Sequence, residues 1–553
     1  MDTYRAIVAI VLAFLILIGY QYLFVTPEQE QPAPEKTIEA PQATGESPGK
    51  LEAPAPAAVV PSEQKAEFEQ PSTLPSRAGK DITVKTASFI AVLSEAGGGI
   101  KSFKLDKYKE SVAPDSPLKE LVTTDAITDL PLYFSWGVDP SRAEVPMFVS
   151  DREKLNVEGG ESQPLSMTAR LSSGLQITRR LVFNPESYLI NVEIDIENLS
   201  ETPLKGSPYM SITSLPFAST SQRYLFSGPA ALIDGELQEV KPKDIEKAAK
   251  ILKGNLTWAA FEGTYFMLGV IPEKQEANTL KLSADGEKIK TLLIGAEDVI
   301  PANGHIQYNY QAYLGPKKIS TLQAAGHDLD RIVNFGWFDK IAKPALYLLN
   351  FFYGYVGNYG VAIILVTVLF KLLFWPIAQK GLKSMKNMQK IQPKMAKLRE
   401  KYKNDSARLN EEMMKLYKTY KVNPLGGCLP MILQIPVFFA LYKVLLQAIE
   451  LRHAPFMLWI TDLSAPDRLM IGVNIPYLGG IPVLTLLMGG SMFLQQKMTP
   501  SPADATQAKV MMFLPVIFTF LFLNFASGLV LYWLVNNLLS IAQQYMINKQ
   551  TAA

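Results

Sequence analysis

The sequence is almost without cysteine and has little histidine. Cys428 stands alone among 553 residues, which excludes an intrachain disulfide framework and any cysteine-rich zinc or iron–sulfur site. It sits in the turn-forming run NPLGGCLP at 423–430 with no second thiol or base beside it, so it reads as a small packing residue. His305, His327 and His453 are scattered, with no HExxH spacing. A phosphate-binding GxxxxGK[ST] loop, a GxGxxG turn between strand and helix, and a GxSxG elbow are all missing. Metal, nucleotide-cofactor and serine-hydrolase chemistry therefore have no motif to stand on, and no cofactor is expected. Charge is scarce as well. Asp, Glu, Lys and Arg make up 19% of the chain, and 54 basic against 52 acidic residues leave a net +2. That balance argues against a generally basic, DNA-binding surface. Hydrophobic residues reach 48%, and the deficit of charge is concentrated in long uncharged stretches. Such a pattern predicts a multi-spanning membrane protein.

The first such stretch, 7–24, is long enough to cross a hydrocarbon core about 30 Å thick. Arg5 precedes it and acidic residues follow, which places the N-terminus in the cytoplasm. Bulky residues at 20–22, where a signal-peptidase site needs small ones, favour an uncleaved anchor over 1–25. Residues 27–76 hold ten prolines and nine glutamates against three lysines, so 26–78 is expected to be a disordered tether. From 79 to 325 the hydrophobic period becomes two. Ile190, Val192, Ile194 and Ile196 alternate with Asn191, Glu193, Asp195 and Glu197, and Asp285-Gly286 marks a hairpin. A large antiparallel β-sandwich on the far side of the membrane is predicted. Residues 326–345 mix aromatic and charged side chains as a helix on the membrane surface would.

Five further spans are expected at 346–379, 428–449, 473–496, 510–525 and 528–547, joined by an outer loop at 450–472 and an inner loop at 497–509. Within the first of these, Gly354, Gly357 and Gly360 break the early half, so the crossing proper starts near 357. Residues 380–423 form the exception in composition. Between 380 and 421 lie thirteen Lys/Arg against four acidic residues, a net +9 that fixes the loop in the cytoplasm. Met388, Ile391, Met395, Leu398 and Tyr402, then Leu409, Met413, Leu416 and Tyr420, follow heptad steps either side of Asn404-Asp405-Ser406. An antiparallel helical hairpin is predicted, with Pro393 bending its first helix. Six spans with both termini cytoplasmic satisfy all the loop charges.

Lys371 is the only formal charge between 344 and 378. A lysine at mid-bilayer costs about 2.5–3.5 kcal/mol on insertion scales. It either lies in a wet groove, with Thr367 one turn earlier on the same face, or snorkels to the inner headgroups. Gln434, Gln495, Gln496, Asn524, Asn536, Asn537, Gln543 and Gln544 recur in the spans. Singly they read as interhelical hydrogen-bonding groups; together with Lys371 they would line a cavity. The basic hairpin suits either anionic lipid or an RNA-bearing partner.

The runs IQPKMAKLREKYKND at 391–405, LNEEMMKLYKTYKVNPLGGCLPMILQIPVFFALY at 409–442 and FASGLVLYWLVNNLLSIAQQY at 525–545 closely resemble the YidC/Oxa/Alb family of membrane protein insertases, in its Gram-negative form. The resemblance implies a membrane α-helical protein of six transmembrane helices, five forming the core, plus an extracytoplasmic all-β supersandwich. It implies no covalent chemistry: an insertase and chaperone of the bacterial inner membrane, working alone or with a SecYEG-type translocon and its accessory subunits. Its partners would be nascent membrane proteins, the lipid bilayer and, through the cytoplasmic loops, the ribosome. Lys371 takes the place of the family's usual groove arginine; Thr367, Trp533 and Gln495 match the groove lining. Pro430, Met431 and Gln434 match the side along which a substrate helix leaves. Lys394, Lys397, Arg399 and Lys401 would carry the contacts of the hairpin.

Overall fold

Alternation of apolar and polar residues builds strands such as Asp81–Lys85, Leu175–Phe183 and Lys288–Ile294, whereas Gly228–Ile233 and Phe266–Pro272 are buried throughout. The computed structural model describes residues 79–157, 159–215, 226–275, 278–403, 405–420, 429–472, 478–499 and 505–550. The anchor expected at 1–25, the tether at 26–78 and Cys428 lie outside the described residues. Twenty strands form sheets of five, nine and six strands. In the nine-stranded sheet, Leu189–Asn198 pairs antiparallel with Leu175–Phe183 on one side and His305–Pro316 on the other. Ile190, Val192, Ile194 and Ile196 are fully buried on one face, while Asn191, Asp195 and Glu197 are exposed on the other. Burying each aliphatic side chain contributes roughly 1.5–3 kcal/mol, so the pleat fixes the register. The turn expected at Asp285-Gly286 joins Asn278–Asp285 to Lys288–Ile294, with Asp285 opposite Lys288 and Gly286 at a φ of 61°.

One ion pair is buried in this domain. Lys317 Nζ contacts the Glu262 carboxylate and donates to the Gly263 carbonyl at 3.1 Å. Burial pushes the Glu262 carboxyl up to about 7.

The described residues form nine α-helices: α1 (Pro242–Lys247), α2 (Ile319–Ala325), α3 (Asp339–Val356), α4 (Tyr359–Lys401), α5 (Ser406–Thr419), α6 (Leu429–Gln447), α7 (Val483–Met498), α8 (Ala505–Phe522) and α9 (Ser527–Gln550). Their boundaries differ from expectation in three places. The surface helix expected over 326–345 is replaced by two short 3₁₀ turns, Leu329–Ile332 and Gly336–Phe338, followed by α3. The reason is backbone conformation: His327, Asp328 and Gly336 all have positive φ, which a helix cannot contain. Next, 346–356, expected within the second span, belongs to α3, but the break falls near 357 as expected: α3 ends at Gly357 with φ 63°, and the Asn358 side chain accepts from Val361 N–H and caps α4. Third, α7 starts at Val483 rather than 473. Leu469 and Ile481 exchange both main-chain hydrogen bonds, and the Asp467 carboxylate then accepts from the Leu484 and Thr485 amides.

The basic hairpin is continuous with the bundle. Helix α4 has 43 residues, about 65 Å at 1.5 Å per residue, and carries Pro376 and Pro393 inside it. Its apolar first half and its lysine-rich second half are thus one rod. Asp405 caps α5 by accepting from Arg408 N–H. Ile391 and Met395 are buried against Met388, Met413, Leu416 and Tyr417, so the predicted seam forms with Tyr417 in it. Among the described residues α4 alone is long and apolar enough to cross a membrane; Gln434–Gln447 and Met511–Phe522 are shorter apolar segments. Large apolar side chains face outward on α4, α6, α7 and α8, including Leu373, Phe439, Leu487 and Phe520. A water-facing bundle would not carry such a belt.

Candidate functional site

Three helices bring polar groups together inside this apolar bundle. Lys371 on α4 donates from Nζ to Ser540 Oγ at 2.6 Å and to Asn536 Oδ1 at 3.3 Å, both on α9. Gln434 on α6 donates from Nε2 to the same Asn536 Oδ1 at 3.0 Å. Ser540 in turn donates to the main-chain oxygen of Asn536 at 2.7 Å. The spacing explains the convergence: Tyr532, Asn536 and Ser540 recur every fourth residue and so share one face of α9. A cavity of about 40 Å³, room for a few water molecules, is lined by Thr367, Lys371, Gln434, Tyr532, Asn536 and apolar residues of α4 and α6. No carboxylate lies within ion-pair distance of Lys371 among the described residues. Its charge is solvated by neutral oxygens and left uncompensated.

Among the residues singled out from sequence, Lys371, Thr367 and Gln434 meet at this cavity. Thr367 is buried, and its hydroxyl donates to its own helix at Ile363 O, 2.6 Å away. Gln434, expected both among the polar residues around Lys371 and on the exit side, is part of the polar cluster. Trp533 and Gln495 are not in the cavity lining. One residue's turn of α9, about 100°, aims Trp533 away from Tyr532 and into an aromatic cluster. Its ring lies 4.7 Å from Phe438 on α6, 4.7 Å from Phe522 and 5.8 Å from Phe518 on α8. Trp533 therefore ties α6 and α8 to α9. Gln495 is half-buried on α7. Pro430 and Met431 lie in the first turn of α6, and their side chains are outside what the structure describes.

Sequence reasoning passed over Ser540 and Tyr532, and it named Asn536 only as one of eight polar residues. Their fourfold spacing was the available signal. Other members of that set hold helices together instead: Asn537 donates to Ser491 on α7 at 3.0 Å, and Gln544 donates to Thr499 at 3.0 Å. On the hairpin, Lys394, Lys397 and Lys401 line an open cleft with Glu412, Lys415 and Thr419. Arg399 is exposed and lies outside that cleft. Lys394 also contacts Tyr420, with its ammonium 4.4 Å from the ring centroid.

A belt of outward apolar side chains around a half-buried cation, joined to a domain built mainly of sheet, defines the class of integral membrane proteins. Residues 81–348 match the family described as YidC periplasmic domain, and residues 351–553 the family described as 60Kd inner membrane protein. The chain is 42% identical over 555 residues to the membrane protein insertase YidC of Syntrophobacter fumaroxidans, covering 99% of each. It is also 42% identical over 560 residues to that of Syntrophus aciditrophicus, again over 99% of each. A solved structure of an active YidC insertase with its first transmembrane domain aligns at 20% identity over 85% of this chain and 93% of that one, with a TM-score of 0.37. The chain belongs to the YidC family of membrane protein insertases.

Proposed function

We propose that the chain moves the polar flank of a nascent membrane protein through the cavity at Lys371 while the apolar segment passes into lipid. The observation that carries this reading is the unpaired Lys371 ammonium, held by neutral oxygens within an apolar bundle. A cation so placed attracts an acidic flank and shortens the apolar distance that flank must cross. Transfer of the apolar helix supplies the drive, on the order of 0.3–0.6 kcal/mol for each central Leu, Ile, Phe or Val. No nucleotide is consumed. The cavity is far too small for a polypeptide as it stands, so α6 must move off α4 and α9, which line the cavity with it, to admit the substrate, and away from α8 to release it. The seam between α6 and α8 is aromatic, with Trp533 of α9 bridging Phe438 and Phe522, and contains no ion pair among the described residues. Such a seam can be exchanged for contacts with a substrate helix at little cost.

In this reading the chain spans the inner membrane six times with both termini in the cytoplasm, and the sheets form a periplasmic supersandwich. The cleft of Lys394, Lys397 and Lys401 faces the cytoplasm, where ribosome contacts fall, and a SecYEG-type translocon with its accessory subunits is a further partner. Replacement of Lys371 tests the core of the proposal. In membranes depleted of the native insertase, Lys371→Arg should insert a short acidic-tailed, single-span substrate as the parent does, and Lys371→Glu should fail. Unchanged insertion by the Glu variant would remove Lys371 from the mechanism.

A further inference from the structure

Donor accounting at the cavity shows which groups are left for a substrate. The Lys371 ammonium has three N–H donors and uses two, on Ser540 Oγ and Asn536 Oδ1. The hydroxyl protons of Ser540 and Thr367 are already committed to main-chain oxygens. Asn536 is different. Its Oδ1 accepts from both Lys371 and Gln434, which fixes the amide because a donor-only ammonium must face the oxygen. The two Nδ2 hydrogens then have no partner among the described residues, and Asn536 is on the cavity wall. An ammonium alone is a point charge without directional preference. An ammonium beside a fixed amide N–H is a two-pronged donor, matched to the two oxygens of one carboxylate.

We propose that Lys371 Nζ and Asn536 Nδ2 together form a receptor for a single Asp or Glu carboxylate of the incoming chain, with Asn536 as the specificity-determining residue. This rests on the reading of Lys371 given above. Asn536 sets direction and Lys371 supplies charge. Gln434 holds the amide in register by sharing its oxygen, so the receptor includes α6, one of the helices that must move.

The test uses the full chain in depleted membranes and two single-span substrates identical except for Asp or Asn in the short outer tail. Asn536→Leu removes the donor, together with the oxygen shared by Lys371 and Gln434, without adding charge; it should slow insertion of the Asp tail about tenfold more than insertion of the Asn tail. Asn536→Gln should recover part of the Asp-tail rate. Asn536→Asp has the native shape and should depress the Asp tail further than Leu does, which keeps the proposal testable if the Leu variant fails to accumulate. Equal slowing of both tails by Leu and by Asp would mark Asn536 as a packing residue and overturn the receptor. Lys371→Ala in parallel separates the two claims. If it discriminates between the tails and the Asn536 variants do not, only the receptor fails; if it does not discriminate either, the reading of Lys371 fails with it.

Discussion

At the scale of single residues, the decisive fact is which way a side chain turns on its helix. Tyr532 and Trp533 are neighbours in sequence, yet one lines the cavity and the other fills the aromatic junction of α6, α8 and α9. Trp533→Ala should therefore act through packing. It removes three ring contacts, each worth about 0.5–1.5 kcal/mol, and should lower the thermal midpoint in detergent while leaving Asp-over-Asn discrimination intact. Loss of discrimination with no loss of stability would return Trp533 to the groove. Glu262 offers a second, independent case. Its carboxyl is pushed up to about 7 from an ordinary 4.5, so the folded chain holds that proton more tightly than the unfolded chain. Its contribution to stability is then largest at low pH and is lost as pH rises between those two values. Glu262→Gln should flatten that part of the wild-type slope, read as the difference in thermal midpoint between about pH 5 and about pH 8.

At the scale of elements, three glycines that look alike in sequence have three different roles. Gly357 ends α3 in the left-handed region, and Gly354 sits inside α3 with open space where a Cβ would go. Gly360 faces Phe456, whose ring would lie 2.0 Å from an added Cβ. Gly354→Ala should be neutral or stabilising by up to about 1 kcal/mol. Gly360→Ala should cost more than about 1–3 kcal/mol, because a whole ring must move. Urea or thermal unfolding of the two variants side by side decides it, and equal effects would contradict the packing described. Sequence alone placed the break near 357 but not the separate role of each glycine, since that of Gly360 depends on Phe456, which faces it. The same limit runs through the site. Periodicity within one segment was legible: the alternation at 190–196, the heptad seam of the hairpin, and the lone charge of Lys371. Convergence between segments was not, because Gln434, Lys371 and Asn536 lie on three helices far apart in sequence. Nor was the continuity of α4 from the span into the hairpin, which were expected as separate elements meeting at 379–380, whereas one helix of 43 residues carries both, with Pro376 and Pro393 inside it.

At the scale of the whole molecule, the β-domain grips the end of α6 opposite to the polar cluster. Arg452 donates to the main-chain oxygens of Lys109 at 2.6 Å and Glu110 at 3.2 Å, and its guanidinium lies 5.3 Å from the Phe266 ring. Tyr265 OH donates to Leu446 O at 3.4 Å, near the last turn of α6. Below these, Tyr359 OH donates to Asn350 Oδ1 at 3.2 Å, and Asn350 Nδ2 reaches Glu450 Oε1 at 3.5 Å, which links α3, α4 and the segment after α6. Among the described residues, the β-domain holds the end of α6 through the Tyr265–Leu446 bond and the segment just beyond it through the charge-assisted bonds of Arg452, while the Gln434–Asn536 bond and aromatic contacts hold α6 nearer its other end. The two attachments differ in strength: hydrogen bonds to a charged donor contribute about 1.5–3 kcal/mol and a neutral one about 1. Motion that admits a substrate should accordingly occur at the Gln434 end, with the β-domain acting as the fixed support. Arg452→Ala should loosen that support. Amide hydrogen exchange at 108–110 and 446–452 should quicken by tenfold or more, while exchange around 532–540 stays unchanged. Because the polar cluster keeps its own hydrogen bonds when the support is removed, discrimination between Asp and Asn tails should persist even as total insertion falls. If exchange instead quickened around 532–540 and the junction kept its protection, Arg452 would not be what secures the junction, and the assignment of a fixed support to it would fail.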